Sequence, residues 1–216
     1  MTRDFEAVLF DLDGTLTPVR SVWQHLHESL GQWDGAADRH QRAYLAGEIS
    51  YEEFCARDAA HWKGRRIEEL KAIADGIPYR GRARDAVDRL KASGTVLGVV
   101  STGLTILSDR AHQELGLAFS MANRLLAEEG VVTGGVEVNV RHGHKGEAVE
   151  TFCRRFDLDP RRVISVGDSE GDISMFERTG FSVAFNPSGA LTAGAASCVH
   201  EGDSLLDLVM RLPLGG

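Results

Sequence analysis

Ala7-Val8-Leu9-Phe10-Asp11-Leu12-Asp13-Gly14-Thr15-Leu16-Thr17 runs four apolar residues straight into two carboxylates and a Gly-Thr turn. So short and continuous an apolar run reads as a strand buried on both faces, the kind found in parallel sheets. Ligands of open α/β sheets sit at the carboxyl ends of such strands, where Asp11 and Asp13 fall. In an extended strand the two aspartates would share one side, and Gly14 permits a sharp departure immediately afterwards. Alone, Asp13-Gly14 serves equally well as a turn that ends a strand. The remainder of the chain has to decide.

Working outward, 216 residues fit one large domain, or a core with a smaller companion, and 43% hydrophobic content supplies a core and argues against disorder. A net charge of -8 argues against nucleic acid as a partner, so any anion pocket must be built from specific local groups. Met1-Thr2-Arg3-Asp4 carries no apolar leader segment, and no stretch approaches membrane-spanning length. Cys55, Cys153 and Cys198 are odd in number and lack Cys-x-x-Cys spacing, fitting neither a zinc site nor a disulfide framework. The expectation is a cytoplasmic protein with no membrane partner.

Residues 19–77 are helical in pattern and hold all three tryptophans, Trp23, Trp33 and Trp62. Ser50-Tyr51-Glu52-Glu53 has the form of a capping box, after which Tyr51, Phe54, Cys55, Ala59 and Trp62 fall on one stripe. Asp58 lies roughly 20° from Tyr51 on the same helical wheel. In the middle of an apolar stripe, a carboxylate needs a partner or a raised pKa. Ile67, Leu70 and Ile73 mark a further helix, and Ile77-Pro78 closes the segment. Residues 17–77 are therefore expected to form a helical cap domain inserted after the first strand. Residues 1–16 and 78–216 would form a discontinuous α/β core.

Past residue 78, helices are expected over Ala83–Ala92, Thr105–Leu115, from Lys145 onward, over 173–178 and near Ala190. They alternate with strands over 96–100, 119–122, 162–166, Phe181–Phe185 and Cys198–His200. Residues 125–140, with Glu129-Gly130 and Thr133-Gly134-Gly135, read as a hairpin excursion. This alternation implies right-handed crossovers and a parallel, Rossmann-like α/β sheet.

Three strands end in polar residues: Asp11 and Asp13, then Ser101 and Thr102, then Asp168 and Asp172. Lys145 stands at the start of a helix. If these ends converge, crowded carboxylates need a cation, and oxygen ligands without paired His or Cys point to Mg²⁺ rather than zinc. Ser101, Thr102 and the amides opening the next helix suit a phosphate. A lysine at a helix N-terminus, against the macrodipole, suits an anion in front of it. Plainer readings exist for each: Ser101 and Thr102 as a helix N-cap, Asp168 and Asp172 as loop and cap residues, Lys145 as a surface lysine. His142 and His144 flank Gly143, but no third ligand of matching spacing accompanies them. Neither a Walker A motif nor a Gly-x-Gly-x-x-Gly fingerprint is present, which argues against nucleotide-triphosphate and dinucleotide chemistry.

Taken in order, Asp11-Leu12-Asp13-Gly14-Thr15-Leu16-Thr17, Val99-Val100-Ser101-Thr102-Gly103, Lys145-Gly146 and Gly167-Asp168 with Asp172 resemble the four motifs of the haloacid dehalogenase superfamily. Ala122-Asn123-Arg124-Leu125, Thr133-Gly134 and the run from Asp168 through Ser174-Met175-Phe176 are similar to its phosphoserine phosphatase branch. The resemblance spans nearly the whole chain. It implies a Rossmann-like core with a helical cap, and a Mg²⁺-dependent phosphatase acting on a small phosphomonoester through an aspartyl-phosphate. Carried over position by position, it makes Asp11 the nucleophile and Asp13 the general acid and base. Asp11, the Asp13 carbonyl and Asp168 would hold Mg²⁺; Ser101, Thr102 and Lys145 would hold the phosphoryl group. Asp172 would support Lys145 or the metal shell.

The chain departs from that branch at four places. Arg20 stands nine positions after the nucleophile, where an acidic residue is usual, and Asp58 stands in place of a cap arginine. Thr102 and Gly171 replace the usual Gly and Asn. Arg20 and Asp58 are accordingly expected to contact substrate with exchanged charges, Arg20 taking a carboxylate and Asp58 an ammonium. For Asp58 the plainer alternative is a structural arginine partner inside the cap. A phosphotransferase or mutase of the same fold is one rival reading, separable by product analysis. A non-catalytic binding protein is the other, and intact Asp11, Asp13, Lys145 and Asp168 argue against it.

Overall fold

Seven strands are found among the residues described, 5–32 and 36–214 of a computed structural model. They are β1 (Ala7–Phe10), β2 (Val96–Leu104), β3 (Phe119–Glu128), β4 (Val131–Glu137), β5 (Val163–Gly167), β6 (Phe181–Phe185) and β7 (Cys198–His200). They form one sheet in the order β4-β3-β2-β1-β5-β6-β7. Every pairing is parallel except β3 with β4. The antiparallel exception is the expected hairpin, turning at Glu129 and Gly130, both at positive φ. The short strand expected over 119–122 and the first arm of that hairpin are one continuous strand.

β1 is central and buried along its whole length. Val8 and Phe10 pack with Val99, Ile164 and Val183 on one face, while Ala7 and Leu9 pack with Phe119, Val149 and Phe152 on the other. Both faces are therefore covered, which is why the run shows no polar alternation. In register, Phe10 stands level with Val99 on β2 and Val166 on β5. Asp11, Ser101 and Asp168 thus stand at one end of the sheet, within two residues of one another in height, Ser101 still inside β2.

Four helices, α1 (Val22–Ser29), α2 (Ala36–Leu45), α3 (Tyr51–Ala60) and α4 (Ile67–Asp75), lie between β1 and α5 (Ala83–Ala92). After them come α6 (Thr105–Leu115), α7 (Lys145–Phe156), α8 (Ile173–Phe176), α9 (Ala190–Ala195) and α10 (Leu205–Val209). Trp33 lies outside the described residues. Ser50 caps α3 as its sequence indicates, its hydroxyl accepting the Glu53 amide at 3.1 Å, while the Glu53 carboxylate pairs with Arg57 at 2.6 Å. α10 was not anticipated. Ser204 caps it through the Asp207 amide, and Leu205, Leu208 and Val209 bury beside α5.

The helical insert is tied to the hairpin through backbone groups. Gly64 donates to the Val132 carbonyl, Val132 to Arg65 and Ile67 to Gly130, each at 2.9 Å. Glu52 on α3 also pairs with Arg141, in the loop before α7. Among the described residues, no helix is long and apolar enough to cross a membrane.

Candidate active site

The site begins where β1 stops. Asp11 still donates its amide to Val166 at 2.8 Å. From Leu12 the chain turns, the Leu12 carbonyl accepting the amides of Thr15 at 3.3 Å and Thr17 at 3.0 Å, with Gly14 at φ 88°. The extended geometry that would put Asp11 and Asp13 on one side is therefore not adopted; a turn separates them. Arg80 holds the turn, donating to the Gly14 carbonyl at 2.5 Å and to that of Thr15 at 3.1 Å.

Asp11 has the same parity as Ala7 and Leu9, on the face covered by α7. Lys145, the first residue of α7, is buried, and its ammonium donates to Asp11 and, at 2.5 Å, to Asp172. The other Asp172 oxygen accepts the Asp168 amide at 3.0 Å, the Ser169 amide at 2.9 Å and the Ser169 hydroxyl at 3.1 Å. Asp172 thus fixes both the lysine and the loop that carries Asp168. On the other flank, the Ser101 hydroxyl donates to Asp13 at 3.3 Å and accepts the Gly103 amide at 2.8 Å. Leu104 occupies the N-cap of α6 without a side-chain bond, so Ser101 and Thr102 are not that helix's cap. A Cβ at Gly14, Gly103 or Gly167 would collide with the carboxylate of Asp168, Asp13 or Asp172 respectively. Three glycines let the backbone approach three acids.

Burial raises the pKa of Asp11 well above the carboxylate range, the nearby Asp172 charge adds to this, and Lys145 opposes both. Burial and then Asp11 push Asp13 up to about 7. Burial and then Asp172 push Asp168 to about 7 against the pull of Arg20. Burial works against the Lys145 ammonium, but Asp11 and Asp172 outweigh it and hold its pKa above the ordinary lysine value. Asp11, Asp168 and Asp172 offer oxygens within 4.8 Å of one another. A buried, all-oxygen set crowded to this degree fits a hard divalent cation such as Mg²⁺. His142 and His144 belong to no comparable group among the described residues. His142 packs edge-on against Tyr44, its centroid 6.2 Å away, and His144 is exposed beside Glu147.

The two departures separate in space. Arg20 is 57% exposed at the rim, donating to Asp168 at 2.7 Å and to the Asn186 carbonyl at 3.3 Å. Asp58 is buried, 3.5 Å from His40 and 3.9 Å from His27, and burial pushes its carboxyl up to about 7. Among the described residues its basic partners are imidazoles, not the arginine of the plainer alternative. Three donors to one carbonyl were not anticipated from the sequence. Trp23 donates to the Thr102 carbonyl at 3.2 Å, Tyr51 at 3.2 Å and Asn123 at 2.9 Å. Tyr51 was visible as a buried position and Asn123 as part of a motif, but neither signal carries a hydrogen-bond partner.

Residues 5–180 match the family model of haloacid dehalogenase-like hydrolases. This chain belongs to that family. The hydrolase is 31% identical over 214 residues to the phosphoserine phosphatase of Archaeoglobus fulgidus, covering 98% of this chain and 61% of that protein. To that of Methanocaldococcus jannaschii it is 29% identical over 205 residues, covering 94% and 96%. Among solved structures, the phospho-aspartyl intermediate analogue of a phosphoserine phosphatase matches with TM-score 0.83 and 26% identity, over 97% of this chain and 99% of that one. A substrate-bound phosphoserine phosphatase complex matches with TM-score 0.84 and 25% identity, over the same shares.

Proposed function

We propose that this hydrolase is a phosphatase that cleaves small phosphomonoesters through an aspartyl-phosphate on Asp11. The observation that carries the reading is the Asp11 carboxylate, kept beside a buried lysine at the carboxyl edge of the sheet. An Asp11 oxygen attacks phosphorus as the bond to the leaving oxygen breaks. Asp13, with a pKa of about 7, gives its proton to that leaving oxygen, and the alcohol departs. Asp13 then takes a proton from a water that attacks the aspartyl-phosphate, releasing inorganic phosphate and restoring Asp11. Lys145 and Thr102, flanked by Ser101, hold the phosphoryl oxygens, and Asp172 keeps Lys145 in place.

Asp11, Asp168 and the Asp13 carbonyl would hold Mg²⁺, which when bound supplies positive charge against the phosphoryl oxygens. Residues 17–77 act as the cap that excludes water from a core of 1–16 and 78–216, and the enzyme works in the cytoplasm. Arg20, exposed at the rim, is the group to receive an acidic substituent of the substrate. Phosphoserine, the substrate in the relatives' names, is the first such compound to try. Asp58, buried beside His27 and His40, is the matching candidate for an ammonium group of the substrate.

The test is phosphate release from p-nitrophenyl phosphate, phosphoserine and a panel of phosphorylated hydroxy acids and sugars. Release is expected with MgCl₂, lost with EDTA and restored by added Mg²⁺. Absence of release from every ester overturns the phosphatase reading, and full activity in a demonstrably metal-free sample removes the Mg²⁺ part of it.

A further inference from the structure

We propose that Trp23 and Tyr51 are positioning residues that couple closure of the helical insert to the orientation of Asp13, through the Thr102–Gly103 peptide. The Thr102 carbonyl receives three donors, two from the insert and one from the sheet. Trp23 comes from α1 and Tyr51 from α3; Asn123 comes from β3. The peptide is planar, so fixing its carbonyl also fixes the direction of the Gly103 N–H on its opposite side. That N–H donates to the Ser101 hydroxyl at 2.8 Å, and the same hydroxyl donates to Asp13 at 3.3 Å. Ser101 is 1% exposed, so water does not compete for its hydroxyl.

One continuous chain of contacts therefore runs from the insert to the carboxyl group that serves as acid. Asn123 anchors its core end, its side-chain oxygen accepting the amides of Asn139 at 2.8 Å and Val140 at 2.9 Å. On the insert side, Trp23 stacks on Trp62 with ring centroids 5.5 Å apart. When the insert lifts, the carbonyl loses two of its three donors, the peptide is free to tilt, and the Ser101 hydroxyl loses its fixed direction. Asp13 then presents its proton poorly. With the insert closed, the acid is aligned.

The coupling rests on the reading of Asp13 as general acid, and it makes a leaving-group prediction. An alkoxide leaves poorly without a proton, whereas p-nitrophenolate leaves well. kcat/KM reports steps through transfer to Asp11, so it isolates the proton donation from later hydrolysis. Tyr51→Phe deletes one donor but keeps the ring that packs near Tyr44 and Phe54. The alkyl-to-aryl ratio of kcat/KM, phosphoserine or the fastest alkyl ester of the panel against p-nitrophenyl phosphate, should fall roughly fivefold in Tyr51→Phe and more than about tenfold with Trp23→Phe added. Equal losses on both esters, or an unchanged ratio, overturn the coupling and leave these side chains as packing. Tyr51→Phe alone decides the matter if the double variant fails to fold. A wild type inactive on both esters removes the phosphatase reading and the coupling with it, a result distinct from equal losses in the variants.

Discussion

Asp11 is a carboxylate that folding opposes twice, by burial and by the charge of Asp172, and Lys145 is the group that works against both. Asp11→Asn keeps the shape but removes the attacking anion. Its kcat should fall by several orders of magnitude, while its melting temperature stays at or above that of the wild type because the acid crowd is thinned. Retention of more than about a tenth of wild-type kcat, a barrier change of only ~1.4 kcal/mol, would remove Asp11 from the nucleophile role. Six members of this cluster, Asp11, Asp13, Ser101, Lys145, Asp168 and Asp172, were legible in the sequence. They stand at strand ends or a helix start, and a parallel sheet gathers those ends at one edge. The surroundings of Arg20 and Asp58 were not legible. Arg20 finds Asp168 across 148 residues, and no periodicity encodes that reach.

At the scale of elements, α5, α6, β6 and β7 run between the boundaries expected of them, because their apolar periods and Gly or Ser stops agree. α10 was missed because five residues are too few for a helical period to stand out. On α3, the apolar stripe showed that Asp58 is buried, but not that His27 and His40 of two neighbouring helices face it. That burial has a signed consequence. The folded carboxyl titrates at about 7 instead of the ordinary 3.8, so between these values the folded state holds a proton that the unfolded chain has released. Stability from this group is therefore fully present below about pH 4 and is lost as pH rises toward 7, by an amount on the order of 4 kcal/mol. His40, itself held below its usual pKa by burial and the nearby Arg57, offers little compensating charge at neutral pH. Asp58→Asn, free of this titration, should gain several degrees of melting temperature on the wild type between pH 5 and pH 8. Parallel pH profiles for the two proteins would show that Asp58 is ionised at no cost in the folded state.

Across the whole molecule, two of the contacts that hold the helical insert bear on the site. One is the Thr102 carbonyl, met by Trp23 and Tyr51. The other is the hairpin, where residues 64–67 exchange backbone hydrogen bonds with Gly130 and Val132, and α3 packs on β4. If the insert moves on these contacts, the strength of the second anchor bears on how well the first is made. Gly134 sits at that second anchor. Its φ is 88°, and a Cβ there would lie 3.2 Å from the Lys63 Cβ and 3.5 Å from the Ala60 Cα, a close approach that only glycine allows without displacement. Gly134→Val combines left-handed strain with a forced separation of α3 from β4, and should cost about 2 kcal/mol or more, a fall of roughly 4–8 °C in melting temperature. Gly94 supplies the control, since its φ is also positive at 77° but nothing lies within 4 Å of a Cβ built there. Gly94→Val therefore carries the strain without the separation. Its melting temperature should fall by less, and its kcat/KM should stay at the wild-type value, whereas Gly134→Val should lose activity as the insert seats less firmly on Thr102. Equal losses of stability in the two variants, with activity untouched in both, would mean that the hairpin anchor plays no part in closing the site.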